Sequence, residues 1–203
     1  MVWSCLVSIL PGMAQTEKLT DYVNPFVGTD GYGNVYPGAQ IPFGGIQISP
    51  DTDSRFYDAA SGYKYNHLTL MGFSLTHLSG TGIPDLGDFL FIPGTGEMKL
   101  EPGTHEDPDQ GYRSRYSHDK EWASPNYYAV ELADYGVKAE MTSGVRSGMF
   151  RFTYPESDNA FIMIDMNHTL WQSCEWSNLR MINDSTITGY KLVKGWGPER
   201  HVY

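Results

Sequence analysis

The residues best equipped for chemistry are concentrated in Gly72-Phe73-Ser74-Leu75-Thr76-His77-Leu78-Ser79-Gly80-Thr81-Gly82, which runs on through Ile83-Pro84-Asp85-Leu86-Gly87-Asp88. Hydroxyls, one imidazole, two carboxylates and flexible backbone converge within 17 residues. Such a set can grasp the hydroxyl groups of a neutral ligand, which need donors and acceptors at fixed positions rather than net charge. The same stretch also reads as a glycine-rich turn in which Ser79 and Thr81 cap backbone groups and His77 satisfies a buried polar neighbour. Paired carboxylates for glycoside cleavage could in principle be Asp85 and Asp88. Their three-residue separation beside a strand favours a shared structural role.

Other chemistries find less support. Gly31 and Gly33 open a phosphate-loop-like pattern, but Tyr36 stands where the third glycine belongs and no Gly-Lys-Ser/Thr follows. Asp51-Thr52-Asp53 fails as a calcium loop because Arg55 occupies the next ligand position. His105, Glu106, Asp107 and Asp109 lack the spacing of a zinc site, so no metal ligands are assigned. No nucleophile elbow is present and nothing marks Cys174 as a nucleophile. No catalytic residue is assigned.

The elements that must carry these residues read as strands. Gly45–Ile48, Phe89–Ile92, Tyr127–Leu132, Val137–Met141, Met149–Tyr154 and Phe161–Ile164 are short apolar or alternating runs of strand length. Phe150 and Phe152 share one face, and the continuous run around Ile162 and Ile164 predicts a strand covered on both sides, so all four are expected in the core. Arg180–Ile182 and Thr186–Thr188 flank Asn183-Asp184-Ser185 as a hairpin. The best helical window, Asn66–Gly72, is two turns at most, and Glu101–Arg115 reads as one long polar surface loop. The pattern predicts an all-β, antiparallel β-sandwich with Greek-key connections.

Composition bounds the function. The chain has 203 residues, 40% hydrophobic and 19% charged, enough for one well-buried core. A net charge of −10 argues against nucleic acid or an anionic membrane, because binding a polyphosphate depends on clustered Lys and Arg. The 14 Tyr, 9 Phe and 5 Trp suit both strands and sugar faces. Two cysteines, Cys5 and Cys174, give no disulfide framework. Residues 1–15 read as a signal-peptide remnant, apolar through Leu10 and ending in small residues near Gln15, although no Lys or Arg precedes Lys18. Export to the periplasm or the extracellular space is therefore expected, with no membrane span.

Several stretches taken together carry a resemblance. Val23-Asn24-Pro25-Phe26-Val27-Gly28-Thr29, Pro37-Gly38-Ala39, Pro42-Phe43-Gly44, Ser61-Gly62-Tyr63 and Gly72 to Asp88 resemble the amino-terminal domain of the family 92 glycoside hydrolases, calcium-dependent exo-acting α-mannosidases. Tyr127-Tyr128, Asp134 to Glu140 and Gly195-Trp196 continue the match over residues 20–203. The resemblance implies a β-sandwich packed on a separate (α/α)6 barrel. The two together would form an inverting mannosidase for mannose-containing glycans. Calcium and the catalytic acid and base would belong to the full-length enzyme, the acid and base to its barrel. This chain lacks the barrel and stops at Arg200-His201-Val202-Tyr203 within an apparent strand, so it reads as truncated, inactive alone and without tight calcium binding of its own. Where the family commonly has a Trp four residues before the Ser of Ser61-Gly62-Tyr63, this chain has Tyr57, which can still stack on a sugar. Chemistry and resemblance together place Tyr57, His77, Ser79, Asp85 and Trp196 on one rim as substrate-binding residues. The alternative puts His77 and Asp85 in an internal hydrogen-bond network and Trp196 in the core. Two other functions remain open at this point: a stand-alone carbohydrate-binding module and a non-functional gene fragment.

Overall fold

A computed structural model of the chain describes residues 17–55 and 57–203. The expected signal remnant and Cys5 lie outside them.

Thirteen strands, β1 to β13, are built from the described residues, all of them antiparallel. β1 (Ser49–Asp51), β3 (Gly72–Ser74), β4 (Leu90–Thr95) and β10 (Ala160–Asp165) form one sheet in the order β1-β3-β4-β10. β6 (Glu121–Ser124), β7 (Tyr127–Leu132), β8 (Val137–Ser143) and β9 (Gly148–Thr153) form a meander. β10 then returns to pair with β4, Leu90 opposite Asp165 and Thr95 opposite Ala160. β2 (Thr69–Leu70) and β5 (Ser114–Arg115) make a small two-stranded sheet. The long hairpin of β11 (Ser173–Asn183) and β12 (Thr186–Lys194) takes β13 (Arg200–Val202) on its far side.

The two four-stranded sheets share one core. Period-two alternation on β7 and β8 turns Tyr128, Val130, Leu132, Val137, Ala139 and Met141 inward, where they meet Ile48, Leu70 and Phe73 from the opposite layer. Phe150 and Phe152 stack on each other with ring centroids 5.4 Å apart, and each lies 6.4 Å from Phe73. On the outer face of the meander Glu140 pairs with Arg151 at 2.6 Å.

Several expectations need correction. Phe150 and Phe152 point into the core but are only half-buried, since β9 is the edge of its sheet. Ile162 is 53% exposed and Ile164, on the same face of the edge strand β10, is half-buried, as are Phe161 and Met163 on the other, so neither face of this strand is fully covered. Asn66–Gly72 is not helical: β2 and the start of β3 lie there, two short buried strands too brief for their alternation to register. The polar stretch Glu101–Arg115 is not all surface loop, since Tyr112, Arg113 and Ser114 are buried. Arg113 tolerates this because its guanidinium donates to the Thr52 carbonyl at 2.6 Å and the Thr69 hydroxyl at 3.2 Å. The first strand begins at Ser49, leaving the whole of Gly45–Ile48 outside it, with Ile48 in an isolated bridge to Ala39.

Candidate functional site

Four loops meet at one end of the sandwich. Tyr57 sits on a 3-10 turn (Tyr57–Ala59), Trp171 follows β10, Trp196 lies between β12 and β13, and Asp85 between β3 and β4. The rings of Tyr57 and Trp171 approach with centroids 5.2 Å apart, and Trp171 stacks on Trp196 at 5.6 Å. All three stay about half exposed, at 51, 46 and 55%. Aromatic faces held open beside polar groups are what a sugar ring needs, because its C–H face is apolar and its rim is hydroxylic.

The platform is held under strain. Trp171 has φ +65°, a left-handed conformation that a bulky side chain avoids at a cost of about 1–3 kcal/mol. Thr169 fixes it, its hydroxyl donating to the Gln172 carbonyl at 2.7 Å and accepting from the Gln172 N–H at 3.2 Å. Gln172 carries the geometry inward, since its side-chain amide donates to Asp85 and its carbonyl oxygen accepts from Arg200 at 3.3 Å. Gly195 packs on it so closely that an added Cβ would lie 2.6 Å from Gln172 Nε2. Two open clefts of about 380 and 430 Å³ share Gln172 as a wall. The first is lined by Arg55, Asn167 and Trp171 among others, the second by Asp85, Gly195 and Arg200.

Behind the rim lie two charge centres, the first part-buried and the second buried. Arg200 pairs with Asp85 at 3.0 Å and with Asp88 at 3.2 Å, and the wholly buried Lys191 reaches Asp88 at 3.3 Å. Lys191 also donates to the His168 carbonyl at 2.6 Å. Burial pushes the Lys191 ammonium down from its usual value, and the Asp88 carboxylate opposes that shift. In the second centre Asp51 lies between two imidazoles, His77 Nε2 at 2.8 Å and His168 Nε2 at 2.7 Å. Burial pushes the Asp51 carboxyl up, but His77 and His168 outweigh it and hold the group well below the usual carboxylate range. The resemblance motif Ser61-Gly62-Tyr63 finds its reason here. Gly62 has φ +85°, and a Cβ on it would strike Asp51 Oδ1 at 2.1 Å.

Of the five residues expected together, Tyr57, Asp85 and Trp196 do converge, joined through Trp171, Gln172 and Arg200. His77 does not reach the rim. It is buried, with Nδ1 against the Gln47 carbonyl at 2.7 Å and Nε2 against Ser74 Oγ and Asp51, which is the internal-network alternative. Ser79 is exposed on a separate turn, whose next residue, Gly80, donates to the Asn34 carbonyl at 2.7 Å. Trp196 is on the surface, not in the core. Sequence reasoning missed Trp171, Gln172, Arg200 and the buried partners Asp51, His168 and Lys191. Only a contact across distant loops assembles them, and no local spacing signals it.

The described residues do not fit a calcium site. Among them no group of three or more carboxylate, imidazole or thiol side chains could hold a metal ion. The carboxylates behind the rim already have partners, Asp51 in hydrogen bonds with two imidazoles and Asp85 and Asp88 in ion pairs with Arg200 and Lys191.

The described residues thus form an all-β sandwich with an open aromatic rim beside a polar cluster. The family model of the glycosyl hydrolase family 92 N-terminal domain matches residues 22–203, and the chain belongs to that family. An uncharacterized secreted glycosidase of Arthroderma benhamiae is 30% identical over 139 residues, covering 68% of this chain and 17% of that protein. Among solved structures, the family 92 glycosyl hydrolase ccman5 superposes with a TM-score of 0.72 at 29% identity, covering 88% of this chain and 24% of that one. A family 92 inverting mannosidase from Bacteroides thetaiotaomicron shares the fold with a TM-score of 0.66 at 24% identity, over 86% of this chain and 23% of that one. The chain thus spans a quarter or less of the length of these relatives. Among its described residues no helix is long and apolar enough to cross a membrane.

Proposed function

We propose that this domain supplies the sugar-binding rim of an exported, calcium-dependent, inverting exo-α-mannosidase that acts on mannose-containing glycans, and that it is inactive alone. The observation that carries this reading is the run of half-exposed rings from Tyr57 through Trp171 to Trp196, beside the polar group formed by Asp85, Gln172 and Arg200. A mannose ring stacked on the indoles would present its hydroxyls to these donors and acceptors.

Catalysis belongs to the remainder of the enzyme. Inversion needs an acid on the leaving oxygen and a base on an opposing water, with a carboxyl separation of about 6.5–9.5 Å. Asp85 and Asp88 share the Arg200 guanidinium, so neither is placed for that work. The calcium is likewise assigned to the rest of the enzyme, and no step of this domain runs through it.

Calorimetric titration of the purified chain with α-linked mannobioses tests the reading. Weak binding, in the millimolar range, is expected for the native chain and loss of it for Trp171→Ala. The same protein with excess calcium should release no mannose. Binding unchanged in Trp171→Ala would refute the rim assignment, and turnover lost on Asp85→Asn would refute inactivity.

A further inference from the structure

β12 is longer than β13, its neighbour on one side. β11 covers one of its edges from Thr186 to Lys194, whereas β13 covers the other only where Lys191, Leu192 and Val193 face Val202, His201 and Arg200. Among the described residues the edge from Thr186 to Tyr190 has no neighbouring strand. Unpaired edges with apolar side chains invite another strand, and native proteins cover or blunt them. Among the described residues nothing blunts it here. The edge carries neither Lys nor Pro, and Ile187 remains 48% exposed.

Beside this edge opens a groove of about 400 Å³ between the hairpin and the β4–β10 sheet, lined largely by apolar side chains including Leu75, Phe91, Ile164, Met166, Leu179 and Ile187. We propose that the edge of β12 over Thr186–Tyr190 accepts an added antiparallel strand from the remainder of the enzyme, whose alternate apolar side chains fill this groove. The inference rests on the family assignment, since it takes its occupant from the part of the enzyme that this chain does not span.

The existing pairing sets the register. A strand continuing the line of β13 meets Tyr190, Gly189, Thr188 and Ile187 in turn. Directly opposed residues share a face. Gly189 and Ile187 lie on the face of Lys191 and Val193, both buried, so the residues opposite them point into the groove. A one-residue slip would turn every apolar side chain outward. Continuity with the β12–β13 ladder favours this occupant over a second copy, which would have to pass the stacked rings of Tyr190 and Tyr203 at the end of that ladder.

Two extended chains test the proposal, each with six residues appended after Tyr203. Val-Thr-Val-Thr-Val-Thr places valine opposite Gly189 and Ile187; Thr-Val-Thr-Val-Thr-Val has the same composition one residue out of step. Amide hydrogen exchange over Thr186–Tyr190 should slow at least tenfold in the first and change less than twofold in the second. Equal slowing in both, no slowing in the first, or concentration-dependent protection in the unextended chain would overturn it. No sugar enters this experiment, so its failure is distinct from failure of the glycan reading.

Discussion

The sandwich body and the carboxy-terminal hairpin hold together by different means. In the body, Phe73, Tyr128, Val130 and Met141 pack a core whose stability follows from removing apolar surface from water. The hairpin β11–β12 buries few side chains, mainly Lys191 and Val193, and is pinned to the body by the charges of Lys191, Arg200, Asp85 and Asp88. Since the hairpin also carries the loop with Trp196, the rim geometry depends on these ion pairs, buried at Lys191–Asp88 and part-exposed at Arg200, more than on a packed apolar core. Such pairs add little net stability but are costly to break on one side.

The largest effects should separate these two regions. Lys191→Ala leaves Asp88 with one cation and is expected to cost about 3–5 kcal/mol. Phe73→Ala should cost about the same through a core cavity. The distinction lies in where the protein loosens. Hydrogen exchange should quicken most in β11–β13 for Lys191→Ala and throughout β3, β7 and β8 for Phe73→Ala. Uniform loosening in both would erase the difference between the regions.

A smaller effect concerns pH. The Asp51 carboxyl is depressed in the folded state, so its contribution is fully present above the unfolded value of about 3.9 and is lost as pH falls below that toward the folded value. Unfolding midpoints measured from pH 6 to pH 2 should fall below about pH 4, and Asp51→Asn should flatten that part of the profile. An unaltered profile in Asp51→Asn would remove Asp51 as the source.

The smallest change in stability is expected at the rim. Trp171→Gly relieves the left-handed backbone while losing a half-exposed ring, so the net change should stay within about 1 kcal/mol. Mannobiose affinity should nevertheless fall at least tenfold. A large stability loss with unchanged affinity would make Trp171 a structural residue.

The body was the more legible region. β7 spans the apolar run Tyr127–Leu132 residue for residue, and β8, β9 and β10 fall within two residues of their expected bounds, because alternation reports a two-layer core directly. Arg113 and Lys191 were illegible for the opposite reason. Hydropathy puts both outside, and only a partner supplied from far along the chain makes their burial tolerable. His77 illustrates the same limit. Its neighbours suggested a ligand-binding loop, yet the decisive partner, Asp51, lies 26 residues away in sequence. Tyr57 and Trp196 lie on one rim, and Trp171, which joins them, carries no sequence signal beyond being a tryptophan.

The aromatic rim can be tested within one molecule. Trp122, 44% exposed, lies on β6 beside Lys138 and serves as a control comparable in exposure to Trp171 and Trp196. In proton–nitrogen correlation spectra of the labelled chain, titration with α-linked mannobiose should shift the indole N–H signals of Trp171 and Trp196 in a saturable manner and leave that of Trp122 in place. Equal shifts at all three, or none at Trp171 and Trp196, would contradict a sugar-binding rim.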